Sequence, residues 1–126
     1  MKLGNDPQSL LALTPLERSV LRVFTQRLGD AAALWQAQCD RARVLIRTHS
    51  GVGFVTKFAI PDDIPGLPAA AVGRIGAVHA SHPDLGEPAE FLVQLKAGRL
   101  ASIEAYCYAG MWPADDAGFR IGVAPP

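Results

Sequence analysis

The chain has 126 residues, of which 49% are hydrophobic and 19% charged, and its twelve basic and twelve acidic residues give a formal net charge of zero. This length fits one domain with one core, the composition excludes a disordered chain, and the zero net charge provides no long-range field that attracts nucleic acid. No apolar run approaches the roughly 18 residues of a membrane span. We therefore expect a single domain over residues 1–126 that binds neither nucleic acid nor membrane.

The first predicted helix begins with the capping box Thr14-Pro15-Leu16-Glu17. Its threonine and glutamate satisfy free amide groups at a helix start, and proline suits the first helical position. Apolar residues then recur every three or four positions, and these define one buried stripe: Leu16, Val20, Val23, Phe24 and Leu28. Gly29 is predicted to end this helix and Asp30 to cap a second one over residues 31–39, although one unbroken helix fits the same pattern.

After the helices, the apolar spacing changes to the alternation of β-strands. Val44 and Ile46 are predicted to share one face of the first strand, and Ser50-Gly51 to turn into a second strand over residues 53–60. One face of this second strand is predicted to carry Phe54, Thr56, Phe58 and Ile60. The short connection predicts a hairpin, whereas the prolines, glycine and aspartates of residues 61–72 predict a loop.

Three further strands are predicted over residues 73–80, 91–96 and 99–108, the last two being joined by a tight turn at Ala97-Gly98. Consecutive antiparallel strands with short connections usually lie side by side, which favours a meander. The predicted fold class is therefore α+β, with two N-terminal helices packed on a mainly antiparallel five-stranded meander sheet. Residues 1–12 and 114–126 are expected to be frayed tails.

Cys39 and Cys107 lack the spacing of a disulfide framework or a zinc motif, so we expect buried free thiols. The polar residues Asn5, Asp6 and Gln8 interrupt the N-terminus, which is therefore unlike a secretory signal peptide. A cytoplasmic protein is the resulting expectation.

His79, His82 and Asp84 place three potential metal ligands close together at the end of a predicted strand. Imidazoles and a carboxylate suit zinc chemically. However, a strand end rarely directs three such close neighbours at one point, and His82-Pro83-Asp84 has the composition of an ordinary turn. We therefore expect surface histidines, and neither a metal nor a cofactor.

Two groups of residues late in the chain are candidates for a functional site. Glu104 suits an acid or base if burial raises its pKa, or a simple surface carboxylate if it faces solvent. The aromatic end of the last strand either closes the core or forms a contact surface, for which Tyr108 and Trp112 are the predicted interface residues. A ligand pocket between helix and sheet is predicted to be lined by Phe54, Phe58, His79, Glu104 and Tyr106.

Several short motifs follow one another along most of the chain. They are Thr14 to Glu17, Gly51 to Phe54, Gly98 to Leu100, and then Glu104, Tyr106, Tyr108, Trp112 and Pro113. Their order and spacing resemble a family of short, uncharacterised bacterial proteins with a TPLE helix start, a GVGF strand and an ExYxY…WP end. The resemblance implies a shared fold and a bacterial cytoplasmic setting, and it transfers no catalytic residue.

The common catalytic templates are missing from the sequence, which has no serine elbow, no His-Glu-x-x-His and no phosphate-binding loop. The expected function is therefore that of a non-enzymatic protein-interaction module, of the toxin-neutralising immunity kind. The alternative is a small-molecule-binding protein or minor enzyme that uses the predicted pocket. We also expect a homodimer, since a neutral chain with two open sheet edges favours self-association, unless the proline-rich loop and the tail cover those edges.

Overall fold

The structure, a computed structural model, describes residues 12–122. The helices are α1 (Pro15–Arg22), α2 (Ala32–Arg41) and α3 (Ala69–Val72), with 3-10 segments at Val23–Arg27, Gly29–Ala31 and Asp116–Gly118. The strands are β1 (Arg43–Ser50), β2 (Gly53–Ala59), β3 (Ala77–Ser81), β4 (Ala89–Lys96), β5 (Arg99–Tyr106) and β6 (Arg120–Gly122). Nearly all of the predicted N-terminal tail, residues 1–11, lies outside the described residues.

All described strands form one antiparallel sheet in the order β1-β2-β5-β4-β3-β6. The α+β class and the antiparallel sheet are thus confirmed, whereas the five-stranded meander is wrong. Residues 60–76 between β2 and β3 form a long connection, so the rule that consecutive strands are neighbours does not hold for this pair. β3 lies on the far side of β4, and β5 returns to pair with β2.

The sixth strand comes from the segment predicted to fray. Ile121 of β6 is the register partner of Ala80 in β3. Ahead of it, the ring of Phe119 packs edge-on against His82 with centroids 4.8 Å apart. Because Nδ1 of His82 accepts a hydrogen bond from the Asp84 amide, its Nε2 is the donor to the Asp115 carbonyl, 2.8 Å away. This buried histidine therefore holds the C-terminal segment against the end of β3.

The helices and the sheet bury one apolar core between them. We call the sheet face that packs on the helices the inner face and the opposite one the outer face. The inner face contributes Phe54, Phe58, Val78, Ala80, Phe91, Val93, Ile103 and Ala105 to the core. The helical side contributes Leu16, Val20, Leu21, Phe24, Leu28 and Trp35, which confirms the predicted stripe except for Val23, a half-buried residue.

The predicted faces of β1 need correction. Val44 is buried opposite Phe58, but Ile46 lies opposite Lys57 and is 54% exposed. A register shift between Val44 and Ile46 leaves Leu45 outside the ladder, and this bulge turns the following residues to the other face. Alternation in the sequence alone cannot reveal such an extra residue. In β2, by contrast, alternation correctly predicts that Phe54, Thr56 and Phe58 share the inner face.

The start of α1 has the predicted capping box. Thr14 Oγ1 accepts a hydrogen bond from the Glu17 amide at 3.1 Å, and Glu17 Oε1 accepts one from the Thr14 amide at 2.9 Å. Gly29 has a φ of +54°, in the left-handed region, but the prediction that it ends the first helix is wrong, since α1 already ends at Arg22 and a 3-10 segment follows. Asp30 does not cap α2, because Ala31 holds the N-cap position and makes no side-chain cap. The residues between the helices form 3-10 turns instead.

The Glu17 side chain also bridges α1 to the sheet. It is 0% exposed and accepts two hydrogen bonds from Arg47 of β1, at 2.6 Å from Nη2 and 3.0 Å from Nε. Thr56 of β2 donates a further one at 2.5 Å. The sequence predicts the capping role of Glu17 but not these partners, which are 30 and 39 residues away along the chain.

A second buried polar side chain, Gln38, fixes α2 against the turn between β4 and β5. Its amide nitrogen donates to the carbonyls of Pro65 and Gly98, and its oxygen accepts from the Leu100 amide. Gly98 has a φ of +76°, and a Cβ there would lie 2.6 Å from the Leu67 carbonyl oxygen. Glycine is therefore required both for the turn and for the close approach of the proline-rich loop. That loop also contains the short helix α3, which the sequence analysis did not predict.

Two substitutions test the placement of α1. Thr14→Ala removes the cap and should lower the free energy of unfolding by about 1 kcal/mol. Phe24→Ala leaves a cavity beside Trp35 and should lower it by about 3–5 kcal/mol. Urea denaturation measures both, with Gln26→Ala at an exposed position as the control. Unchanged midpoints for both test variants would contradict the placement.

Candidate functional site

The predicted ligand pocket between helix and sheet does not form from its five residues. Phe54 and Phe58 point into the core from the inner face. Glu104 and Tyr106 belong to the outer face, since they alternate along β5 with the inner residues Ile103 and Ala105. His79 is likewise exposed on the outer face of β3, beside the buried Val78. Alternation along each strand therefore separates the two phenylalanines from the three polar side chains.

Three of the five residues nevertheless share an open cleft of about 340 Å³ at the turn end of β1, β2 and β5. Its lining residues are Thr48, His49, Ser50, Phe54, Val55, Glu104, Ala105 and Tyr106. The cleft has no helical wall. It therefore belongs to the sheet surface and not to a helix–sheet pocket.

The most developed polar arrangement on the outer face surrounds Glu90 of β4. Tyr106 donates a hydrogen bond to Oε2 of Glu90 at 2.5 Å, and Tyr108 donates one to Oε1 at 2.8 Å. His79 Nε2 lies 3.2 Å from the same Oε1. Strand register produces this arrangement, because Glu90 is paired with Tyr106 on one side and with His79 on the other. We call these four residues the Glu90 cluster.

The hydrogen bonds within the Glu90 cluster change the pKa values of Glu90 and Tyr106. The Tyr106 hydroxyl, followed by that of Tyr108 and by His79, stabilises the Glu90 carboxylate and lowers its pKa. The same hydrogen bond to Glu90, more than any other cause, raises the pKa of Tyr106. Glu90 is thus a weak base and Tyr106 a poor source of phenolate near neutral pH. The cluster is suited to presenting a fixed, charged surface and poorly suited to acid–base catalysis.

Exposed apolar side chains lie next to the Glu90 cluster. Val52, Tyr108 and Met111 are 48%, 58% and 74% exposed. Backbone hydrogen bonds bring their segments together, from the Cys107 amide to the Val52 carbonyl and from the Trp112 amide to the Gly51 carbonyl. We call Val52, Tyr108 and Met111 the apolar end patch.

The two predicted interface residues have different surroundings. Tyr108 is exposed in both the Glu90 cluster and the apolar end patch. Trp112 is half-buried and packs against Phe54, Phe91 and Phe119, with ring centroids 4.9–5.6 Å apart. Trp112 therefore closes one end of the core and holds the segment that carries Tyr108.

His79 and His82 have separate partners, Glu90 and Asp115. Within residues 12–122, no group of three histidine, cysteine, aspartate or glutamate side chains is arranged to hold a metal ion. Cys39 and Cys107 are free thiols, as predicted, although only Cys107 is fully buried. None of the helices in the described part of the chain is long and apolar enough to cross a membrane.

Sequence reasoning missed Glu90, the centre of the cluster. The tight turn at Ala97-Gly98 pairs Lys96 with Arg99 and Leu95 with Leu100, and the same register would set Glu90 opposite Ala105. A register shift between Gln94 and Leu95 moves the later pairs by one residue, so that Glu90 meets Tyr106. The turn is visible in the sequence, but the bulge that creates this pair is not.

Comparisons of the chain with known protein families, with curated proteins and with solved structures found no match. The resemblance to a bacterial family therefore stays an expectation.

The raised pKa of Tyr106 gives a test of the Glu90 cluster. Replacing Glu90 by glutamine removes the carboxylate that accepts its hydrogen bond, so the pKa of Tyr106 should fall toward its usual value. Alkaline titration followed by NMR of the tyrosine ring carbons measures this in a protein with two tyrosines. Glu104→Gln, on the same face, serves as the matched control. An equal effect of both substitutions would contradict the specific contact.

Proposed function

We propose that this protein is a non-enzymatic protein-interaction module that binds its partner through the outer face of the sheet. The observation that carries the proposal is the adjacency of the Glu90 cluster and the apolar end patch on a sheet face that the helices do not cover. Apolar side chains next to fixed polar groups are typical of recognition surfaces, and tyrosine is enriched in them.

The chemistry of the cluster supports binding over catalysis. Glu90 has its two carboxylate oxygens engaged by tyrosines. Its lowered pKa and the raised pKa of Tyr106 both oppose proton transfer at neutral pH. Groups held in one geometry lose little conformational entropy on binding, which favours a specific contact.

The placement of the predicted pocket residues favours the interaction module over the alternative of a small-molecule pocket between helix and sheet. Phe54 and Phe58 are core residues, and Glu104 and Tyr106 point away from the helices. The open cleft beside Glu104 fits a side chain of a protein partner better than an enclosed ligand, since ligand sites usually surround most of the ligand surface.

A second copy of the chain and a toxin are the two partners that we propose within this function. A homodimer through the outer face is supported by Ile46, which lies 54% exposed on that face of β1, and β1 is itself an eight-residue edge strand, whereas the opposite edge β6 has only three residues. Long exposed edges need pairing or protection. In the proposed immunity role, the outer face of the sheet binds a toxin instead of a second copy of the chain.

Oxidative footprinting inside cells tests the proposal without a known partner. Tyr108 and Met111 should be labelled less in living cells than in dilute purified protein, because a bound partner covers them. Leu34 on α2, on the helical side, is the internal control and should be labelled equally in both. Met111→Glu should restore the labelling of Tyr108, whereas Ala33→Glu, which adds the same charge to α2, should not.

The outcomes separate the possible partners. Protection that already appears in concentrated purified protein would identify a homodimer, and protection found only in cells would identify a different protein. Equal labelling of Tyr108 and Met111 under all conditions would contradict the proposed binding face.

A further inference from the structure

The first two helices line a small polar cavity that opens to solvent and that the proposed function does not use, and four of its lining residues are exposed, namely Arg18, Arg22, Gln36 and Asp40. Its volume is about 80 Å³, and it lies on the opposite side of the core from the outer face of the sheet. The lining residues are Leu13, Arg18, Leu21, Arg22, Thr25, Gln36, Cys39 and Asp40. We call it the interhelical cavity.

Thr25 gives the first indication that the interhelical cavity binds something. Its hydroxyl oxygen is buried and is the one buried side-chain polar atom in residues 12–122 without a hydrogen-bond partner there. Leaving a buried hydroxyl unpaired costs about 1–3 kcal/mol, so native proteins usually provide a partner. A ligand in the cavity would supply it.

The charges around the cavity indicate the kind of ligand. Arg18 and Arg22 are one helical turn apart on α1, and neither forms an ion pair with another residue of the described segment. Guanidinium groups bind planar or tetrahedral oxyanions through charge-assisted hydrogen bonds. Burial raises the pKa of the Cys39 thiol to about 12, so this side chain adds no negative charge at neutral pH.

Asp40 is the one acidic residue in the lining, and its carboxylate accepts a hydrogen bond from the Gln36 amide at 2.8 Å. Two arginines against one aspartate leave the lining with a net positive charge. Asp40 opposes an anion, and its removal should therefore strengthen anion binding.

The size of the cavity indicates more than one water molecule. A single ordered water needs roughly 10–15 Å³ by a comparable measure, and the cavity offers about 80 Å³. This volume suits several waters or one small ion, and it is too small for a nucleotide or a drug-sized molecule.

We propose that the interhelical cavity is a binding site for a tetrahedral oxyanion, either inorganic phosphate or the terminal phosphate of a larger molecule. Arg18 and Arg22 carry the charge recognition, and the Thr25 hydroxyl donates a hydrogen bond to one oxygen of the anion. This site is independent of the outer face and its protein partner.

Titration of the ¹⁵N-labelled protein with inorganic phosphate at constant ionic strength tests the site. The amide of Thr25, the side-chain amide of Gln36 and the Nε groups of both arginines should shift and saturate together. Chloride should produce no saturating shift. Phosphoserine as a second titrant distinguishes the sources, because binding of inorganic phosphate alone indicates the free ion and comparable binding of phosphoserine indicates a phosphate group on a larger molecule.

Four variants test whether phosphate binding depends on the residues that line the interhelical cavity. Arg22→Gln should weaken phosphate binding about tenfold, whereas Arg27→Gln makes the same charge change outside the cavity and should leave binding nearly unchanged. Asp40→Asn should strengthen binding. Thr25→Val should weaken binding several-fold without lowering the urea midpoint, because it removes a hydroxyl that forms no hydrogen bond with another residue of the described segment. Absence of saturation with both phosphate titrants, or equal losses in Arg22→Gln and Arg27→Gln, would overturn the proposal.

Discussion

The buried carboxylate of Glu17 joins the first helix to the sheet, and the rest of the structure depends on this junction. It completes the capping box of α1, pairs with Arg47 of β1 and accepts a hydrogen bond from Thr56 of β2. Burying a carboxylate costs several kcal/mol, and only a full set of partners offsets that cost. Because three elements supply those partners, α1 has one favourable position on the inner face.

This position leaves the outer face of the sheet available for recognition. At one end of the core, Trp112 packs on Phe54 and Phe91. This packing fixes the segment from which Tyr108 reaches Glu90 on the outer face. The core thus positions the Glu90 cluster without contributing to its surface. Core packing on the inner face positions the strands, and hydrogen bonds on the outer face fix the Glu90 cluster that the proposed binding function uses.

Local signals in the sequence predicted local structure well. The capping box at Thr14 needs only four consecutive residues, and the alternation in β2 needs only seven. Pairing between distant segments was not predictable, because the long connection after β2 lets β5 replace β3 as its neighbour. The bulge at Leu45 in β1 and the one at Ala101 in β5 each reverse the faces of later residues in their strands, and alternation alone does not reveal them. Glu90 was missed because the predicted fourth strand began at residue 91 and because the bulge in β5 determines its pairing with Tyr106.

A double-mutant cycle on Glu17 and Thr56, measured by urea denaturation, tests the central claim most directly. Glu17→Gln leaves Arg47 without its carboxylate and should lower the free energy of unfolding by about 3–5 kcal/mol. Combined with Thr56→Val, the loss should fall short of the sum of the single losses by at least about 1 kcal/mol, because both changes disrupt the same hydrogen bond. Additive losses, or a Glu17→Gln variant as stable as the original protein, would contradict the view that this carboxylate fixes the helices on the sheet.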